Sequence, residues 1–183
     1  MEHLPGLMPV LLVAAAGGWL VAYSAGLITR TRFIVYDYQC VLLYKKGQFE
    51  KILPTGVHKL RQRVYSWVVF DKRVSQLLLV GQEVLTKDGM GIKISTYAEY
   101  AVEDAVKLCQ TADVKAYSLP NYLHAIAQLP VRAAVAQQTL EELMADRATL
   151  AEQISAALAP KLQALGIGLR ACGIRDIMLS KEV

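Results

Sequence analysis

From Leu4 to Ile28 the chain carries no charged residue, and from Arg30 onward it carries nearly all of its charge. Within that head, Pro9–Ile28 (PVLLVAAAGGWLVAYSAGLI) has the length of about 20 apolar residues that a helix needs to cross a hydrocarbon layer roughly 30 Å thick. Pro9 suits a first helical turn, where its missing N–H costs nothing. Gly17-Gly18 is tolerated in lipid, where a helix has no better way to satisfy its backbone. The pattern predicts a membrane anchor over residues 1–30 and a folded body over 31–183. A cleaved signal peptide would start with a basic residue and have a shorter apolar core. Here the start is Met1-Glu2-His3, although Ala22-Tyr23-Ser24-Ala25 offers small residues to a peptidase. A buried helix of a soluble domain seldom runs this far without a charge. Glu2 precedes the segment, and Arg30 and Arg32 follow it, with Lys45 and Lys46 close behind. The positive-inside rule then puts the body on the cytoplasmic side. Pro5, Pro9 and the glycine pair fit a re-entrant hairpin as well as a single span, and both readings stand.

Beyond Arg32 the texture changes to short runs rich in β-branched and aromatic residues. Phe33–Tyr36 and Gln39–Tyr44 are predicted strands. Lys45-Lys46-Gly47 is a turn into Gln48–Leu53, and Pro54-Thr55-Gly56 is a turn into Val57–Leu60. Val64–Phe70 is the most apolar run of the body and is expected to be a central strand. Arg73–Val80 and Gln82–Thr86 read as two further segments. Lys87-Asp88-Gly89 is the strongest turn signal, with Asp-Gly expected to supply the positive-φ positions of a tight hairpin. Gly91–Val102 then alternates. Ile92, Ile94, Thr96, Ala98, Tyr100 and Val102 share one face, and Lys93, Ser95, Tyr97 and Glu99 the other, as in a sheet wet on one side.

The period then lengthens. Glu103–Thr111 reads as a short helix, and Pro120–Gln138 as a longer one with a kink or break at Pro130. Thr139-Leu-Glu-Glu142 has capping-box spacing and restarts a helix. Leu143, Leu150, Ile154, Leu158, Leu162 and Leu165 keep near an i+4 rhythm. Gly166 and Gly168 close that helix, and Ile167–Leu179 returns to strand. Strands, then helices, then one strand is an α+β order with a largely antiparallel sheet, not a βαβ array.

Composition narrows the chemistry. A mean hydropathy of +0.31 reflects the apolar head, and removing it leaves a body of ordinary domain size. A net charge of +4 suits an anionic membrane surface and falls short of a nucleic-acid footprint. Cys40, Cys109 and Cys172 are odd in number and far apart, and His3, His58 and His124 are scattered, so neither a disulfide framework nor a zinc site is expected. No nucleophile elbow or phosphate-cradling glycine loop is present, so no catalytic, cofactor or metal residue is assigned and no enzyme activity is expected. Asp88-Gly89 is read as a turn, and Asp146-Arg147 as ion-paired near a helix start.

Five stretches recur in an order that points to one family: Asp71-Lys-Arg73, Gln82-Glu-Val-Leu-Thr-Lys-Asp-Gly89, Tyr100-Ala-Val-Glu-Asp104, Leu140-Glu-Glu-Leu143 with Asp146-Arg147, and Gly173-Ile-Arg-Asp-Ile177. Over residues 33–179 the chain resembles the stomatin/prohibitin/flotillin (SPFH, or Band 7) domain, and most closely the stomatins and slipins. The resemblance implies a domain directly behind a membrane segment, self-association at the bilayer, organisation of lipid microdomains and control of a channel or membrane protease. The alternative it implies is a prohibitin-like regulatory subunit of a membrane protease. Stomatins continue, past the position of Ile177-Met-Leu-Ser180, into a long Ala/Glu-rich coiled-coil helix. The chain stops at Val183, so that helix is expected to be absent or truncated.

The expected partners are therefore the lipid bilayer and further copies of the chain, with no nucleic acid. Candidate membrane-interface residues are Arg30, Arg32, Lys45 and Lys46. They belong to a basic stretch with Lys51, His58, Lys59, Arg61 and Arg63, where each cation near an anionic leaflet contributes about 1 kcal/mol. A solvated sheet edge guarded by lysines explains the same residues equally well. Cys40 is a candidate for acylation, and its place in a predicted strand favours burial instead.

Overall fold

The computed structural model describes residues 31–61, 63–113 and 118–179. The apolar segment Pro9–Ile28 lies outside them, and no helix among the described residues is long and apolar enough to cross a membrane. The strands are β1 (Thr31–Val35), β2 (Gln39–Lys45), β3 (Gln48–Leu53), β4 (Gly56–Leu60), β5 (Tyr65–Asp71), β6 (Ser75–Leu85), β7 (Gly91–Val102) and β8 (Ile167–Leu179). Between β7 and β8 lie the helices α1 (Ala105–Thr111), α2 (Leu119–Ala136), α3 (Leu140–Ala145) and α4 (Arg147–Ala164). The order is the α+β one expected. Two compact units arise, the first from residues up to Asp37 and Val41–Val68, the second from Tyr38–Cys40 and Val69 onward.

In the first unit β1 pairs antiparallel with β4, and β2 lies between β3 and β5. Lys46 and Gly47 have φ of 51° and 86°, which is the two-residue turn whose twist matches a hairpin and which only small or tolerant residues enter easily. Val35, Val41, Leu43, Leu53 and Leu60 form a core against which Phe33, Tyr65 and Trp67 pack. The Phe33 and Trp67 rings are 5.1 Å apart at 44°. The apolar run expected to be a central strand is β5, and it lies at an edge of its sheet with only Phe70 buried. A run of hydrophobic residues marks burial without saying on how many sides.

The second unit is built on β7, which pairs antiparallel with β6 on one side and β8 on the other. The alternating side chains Ile92, Ile94, Thr96, Ala98, Tyr100 and Val102 are all buried, as the period-2 pattern predicts. Leu77 and Leu79 of β6 join this face. The helices pack over the sheet, α2 against β6, α4 against β8, and α2 and α3 against α4. Their buried stripes are Leu123, Ala127, Val131 and Val135 on α2, and Leu150, Ile154, Leu158 and Leu162 on α4.

Four expectations change in detail. The two segments expected on either side of Gly81 are one strand, because Val80 and Gly81 (φ 62°) bulge opposite Ser95 while pairing continues. Ser95, expected on the wet face, is buried there, and its Oγ accepts the Gly81 N–H at 3.1 Å. Helix α2 runs through Pro130 without a break, with the ring buried. Gly166 (φ 79°) ends α4 as expected, whereas Gly168 lies within β8.

At Gly166 an added Cβ would lie 2.4 Å from the Asp104 carbonyl oxygen. At Gly89 it would meet open space, at a φ of 79°. Gly89→Ala should therefore cost only the left-handed conformation, about 1–2 kcal/mol. Gly166→Ala should cost clearly more, read as a larger drop in the urea midpoint. Thr96 Oγ1 is buried without a hydrogen-bond partner among the described residues. Thr96→Val should raise the midpoint, by about 1 kcal/mol of stability.

Candidate functional site

The basic residues picked out near the head separate by element. Arg30 lies outside the described residues. Arg32 is exposed on β1 and stands directly opposite Lys59 of β4. Lys45 ends β2 and Lys46 makes the turn into β3, with the Lys46 N–H donating to the Val64 carbonyl at 2.9 Å. Lys51, Arg61 and Arg63 are exposed. His58 is tied down, its Nε2 donating to the Pro54 carbonyl at 2.7 Å. Cys40 lies on β2, half-buried, and burial pushes its thiol up, partly opposed by Lys72.

The motif residues of the second unit act on the backbone. Loop Lys87–Gly89 is a three-residue hairpin connection, closed by Thr86 N–H to the Met90 carbonyl at 3.0 Å and Gly89 N–H to the Thr86 carbonyl at 3.0 Å. Only Gly89 takes a positive φ there, so the Asp-Gly pair is not the left-handed pair expected. Asp88 is freed for other partners. Its carboxylate accepts the Thr86 hydroxyl and, across the fold, the Leu140 N–H at 3.3 Å. The Lys87 N–H also donates to the Gln138 carbonyl at 2.9 Å. The hairpin tip thus clips onto the α2–α3 junction, occupying two backbone groups that helix ends leave open.

Helix α3 starts with the capping box that the spacing implies: Glu142 N–H donates to Thr139 Oγ1 at 3.3 Å, and Thr139 N–H to Glu142 Oε2 at 2.9 Å. Asp146 then interrupts the helical rhythm. Its carboxylate caps α4, accepting the Ala148 and Thr149 N–H groups at 3.1 Å each and the Thr149 hydroxyl at 2.5 Å. The ion pair expected of Asp146-Arg147 is absent among the described residues; the acid serves as a helix cap. An open notch of about 340 Å³ lies here, lined by Gln137, Gln138, Glu142, Asp146, Thr149 and Gln153. Its two carboxylates are already engaged in capping.

Other motif positions close local contacts. Arg73 forks onto Asp71, with Nη2 to Oδ2 at 2.5 Å, and its guanidinium lies 4.2 Å from the centre of the Tyr38 ring. Arg170 pairs with Glu103 at 2.9 Å. That carboxylate lies over Gly168, where a Cβ would come within 2.1 Å of it. Gly173 is opposite Tyr97, and a Cβ there would lie 2.6 Å from the ring. At both glycines a side chain from the neighbouring segment lies close over the backbone, so a Cβ would make the end of Glu103 or of Tyr97 shift, a juxtaposition that nothing in the one-dimensional pattern indicates. Among the described residues no group of three or more His, Cys, Asp or Glu side chains is placed to hold a metal ion.

Comparison with known proteins matches residues 33–183 to the profile of the SPFH domain / Band 7 family. An uncharacterised protein of Archaeoglobus fulgidus is 24% identical over 166 residues, 91% of this chain and 65% of the other. A stomatin homologue of Pyrococcus horikoshii is 25% identical over 146 residues, 80% of this chain and 53% of its own length. Stomatin-1 of Caenorhabditis elegans is 20% identical over 151 residues, 82% and 44% of the two chains. The chain therefore spans between about half and two thirds of the length of the first two relatives, and less of the third.

The capping carboxylates give an acid signature. Hydrogen bonds hold three acids below the usual carboxylate range: from the Thr86 hydroxyl to Asp88, from the Thr139 N–H to Glu142, and from the Thr149 hydroxyl to Asp146. With folded values depressed, their stabilisation is complete above the ordinary carboxylate pKa of about 4 and is lost as pH falls through the lower folded values. Urea midpoints should fall across that acid window. Asp88→Asn, which keeps a carbonyl for Leu140 but does not titrate, should make the fall shallower. An unchanged slope would remove Asp88 from the acid response.

Proposed function

Because the chain belongs to the SPFH/Band 7 family, we propose that it is a membrane-anchored scaffold whose copies self-associate on the cytoplasmic face. There it organises lipid and modulates membrane-protein neighbours such as a channel or protease. One observation carries the reading: the family match begins at residue 33, only a few residues after the charge-free segment Pro9–Ile28. With so short a connection, the folded body has no freedom to leave the bilayer surface. Arg30, Arg32, Lys45 and Lys46 face the anionic leaflet in this reading, each contributing about 1 kcal/mol. Cys40 is the acylation candidate, and burial, which lowers its thiolate fraction, weighs against that role.

The role is mechanical. The anchor sets the location, the body presents a surface to its neighbours, and repetition builds a patch. Relatives named stomatin support the membrane setting at the level of the family. The motif carboxylates support it differently, because Asp71, Asp88, Glu142 and Asp146 are spent on hydrogen bonds that hold the fold.

Two differently tagged full-length copies expressed together should co-purify from detergent, and cross-linking in membranes should give bands beyond the dimer. The chain should stay with the membrane through an alkaline wash. A strictly monomeric chain recovered with a protease at fixed stoichiometry would replace the scaffold with the regulatory-subunit alternative. Release by the wash would overturn the anchored reading.

A further inference from the structure

The β1–β4 ribbon has two unlike faces. Phe33, Val35 and Leu60 turn to the core of the first unit. The register sets Ile34 opposite Val57 and Arg32 opposite Lys59, and alternation puts all four on the other face. Ile34 is 50% exposed and Val57 65%. Two cations directly opposite each other on paired strands repel and destabilise the pair. Among the described residues the ion pairs are Arg73–Asp71, Lys93–Glu83 and Arg170–Glu103, so no carboxylate neutralises Arg32 or Lys59. The described part of the first unit holds only Asp37 and Glu50 as acids, against Arg32, Lys45, Lys46, Lys51, Lys59, Arg61 and Arg63. A like-charge pair of this kind is relieved by an anion received between the two side chains.

Chain length limits where that anion can be. The charge-free run ends at Ile28 and β1 begins at Thr31. At about 3.3 Å per extended residue, Arg32 lies within about 13 Å of the end of the run and Ile34 within about 20 Å. The headgroup layer on one side of a bilayer is itself several ångströms deep. A free phosphate would satisfy the cations, but it would leave the exposed Ile34–Val57 pair in water. A phospholipid satisfies both.

We propose that Arg32 and Lys59 together receive the phosphate of an anionic phospholipid while Ile34 and Val57 seat against the acyl boundary. The β1–β4 ribbon is then a second membrane contact beside the anchor. The proposal rests on the membrane-anchored reading and deepens it by naming the lipid-facing surface.

The test uses the full chain with Cys40, Cys109 and Cys172 changed to Ala and Val57→Cys carrying an environment-sensitive NBD dye. It is inserted into phosphatidylcholine vesicles with or without phosphatidylserine, containing nitroxide-labelled lipid as quencher. The dye should be quenched on phosphatidylserine vesicles. The double change Arg32→Gln/Lys59→Gln should lower the ratio of docked to undocked dye about 30-fold, from two cations at about 1 kcal/mol each and tenfold per 1.4 kcal/mol. Arg32→Lys/Lys59→Arg, which keeps both charges, should restore it. Unquenched dye on vesicles with which the chain floats would overturn the ribbon contact and leave the anchor reading intact. Equal quenching without phosphatidylserine, or in the Gln variant, would overturn the cation pair as the headgroup site. Loss of quenching in inorganic phosphate but not in chloride of equal ionic strength would assign the pair to free phosphate instead. A chain that does not float with the vesicles overturns the anchored reading, and the ribbon contact with it.

Discussion

Strand β7 needs hydrogen-bonding partners along both edges, and one of them, β8, arrives only after all four helices have been made. Much of the second unit follows from that constraint. Once β6 and β8 flank β7, the row from Ile92 to Val102 becomes a single apolar face that must be covered. The intervening segment supplies the cover as helices that turn their buried stripes toward the sheet, α2 against β6 and α4 against β8. Contacts this distant along the chain are slow to form, because the loop entropy is lost before the pairing repays it.

The clip at the hairpin tip serves the same constraint from the other side. Asp88 and the Lys87 N–H hold the α2–α3 junction, where a helix pair would otherwise present open backbone groups. The capping box at Thr139 and the cap at Asp146 then start α3 and α4 in turn. The motif carboxylates Asp88, Glu142 and Asp146 are thus bound up in holding helix ends. In the first unit, by contrast, exposed cations outnumber the acids among the described residues.

The two units divide the physical work. The first carries the excess positive charge and, as the chain runs, directly follows the apolar head. The second carries the long strands, the helices and most of the motif residues.

Local chemistry was enough to read most of the elements. The period-2 row on β7, the helical stripes on α2 and α4, the Thr139–Glu142 box and the Lys46-Gly47 turn are each specified by residues within a few positions of one another. So was the family resemblance, which rests on the order of five short stretches. Position within a sheet was not readable: the run at β5 looked central and is an edge, because neighbours come from elsewhere in the chain. The same holds for the merging of β6 across Gly81, the burial of Ser95 and the continuity of α2 through Pro130. Asp88 shows the limit most clearly. Its turn was visible in the sequence. Its bond to Leu140 was not, since that partner is 52 residues away and only the folded chain brings the two together. The pairing of Arg32 with Lys59 is of the same kind, a cross-strand juxtaposition that register alone creates.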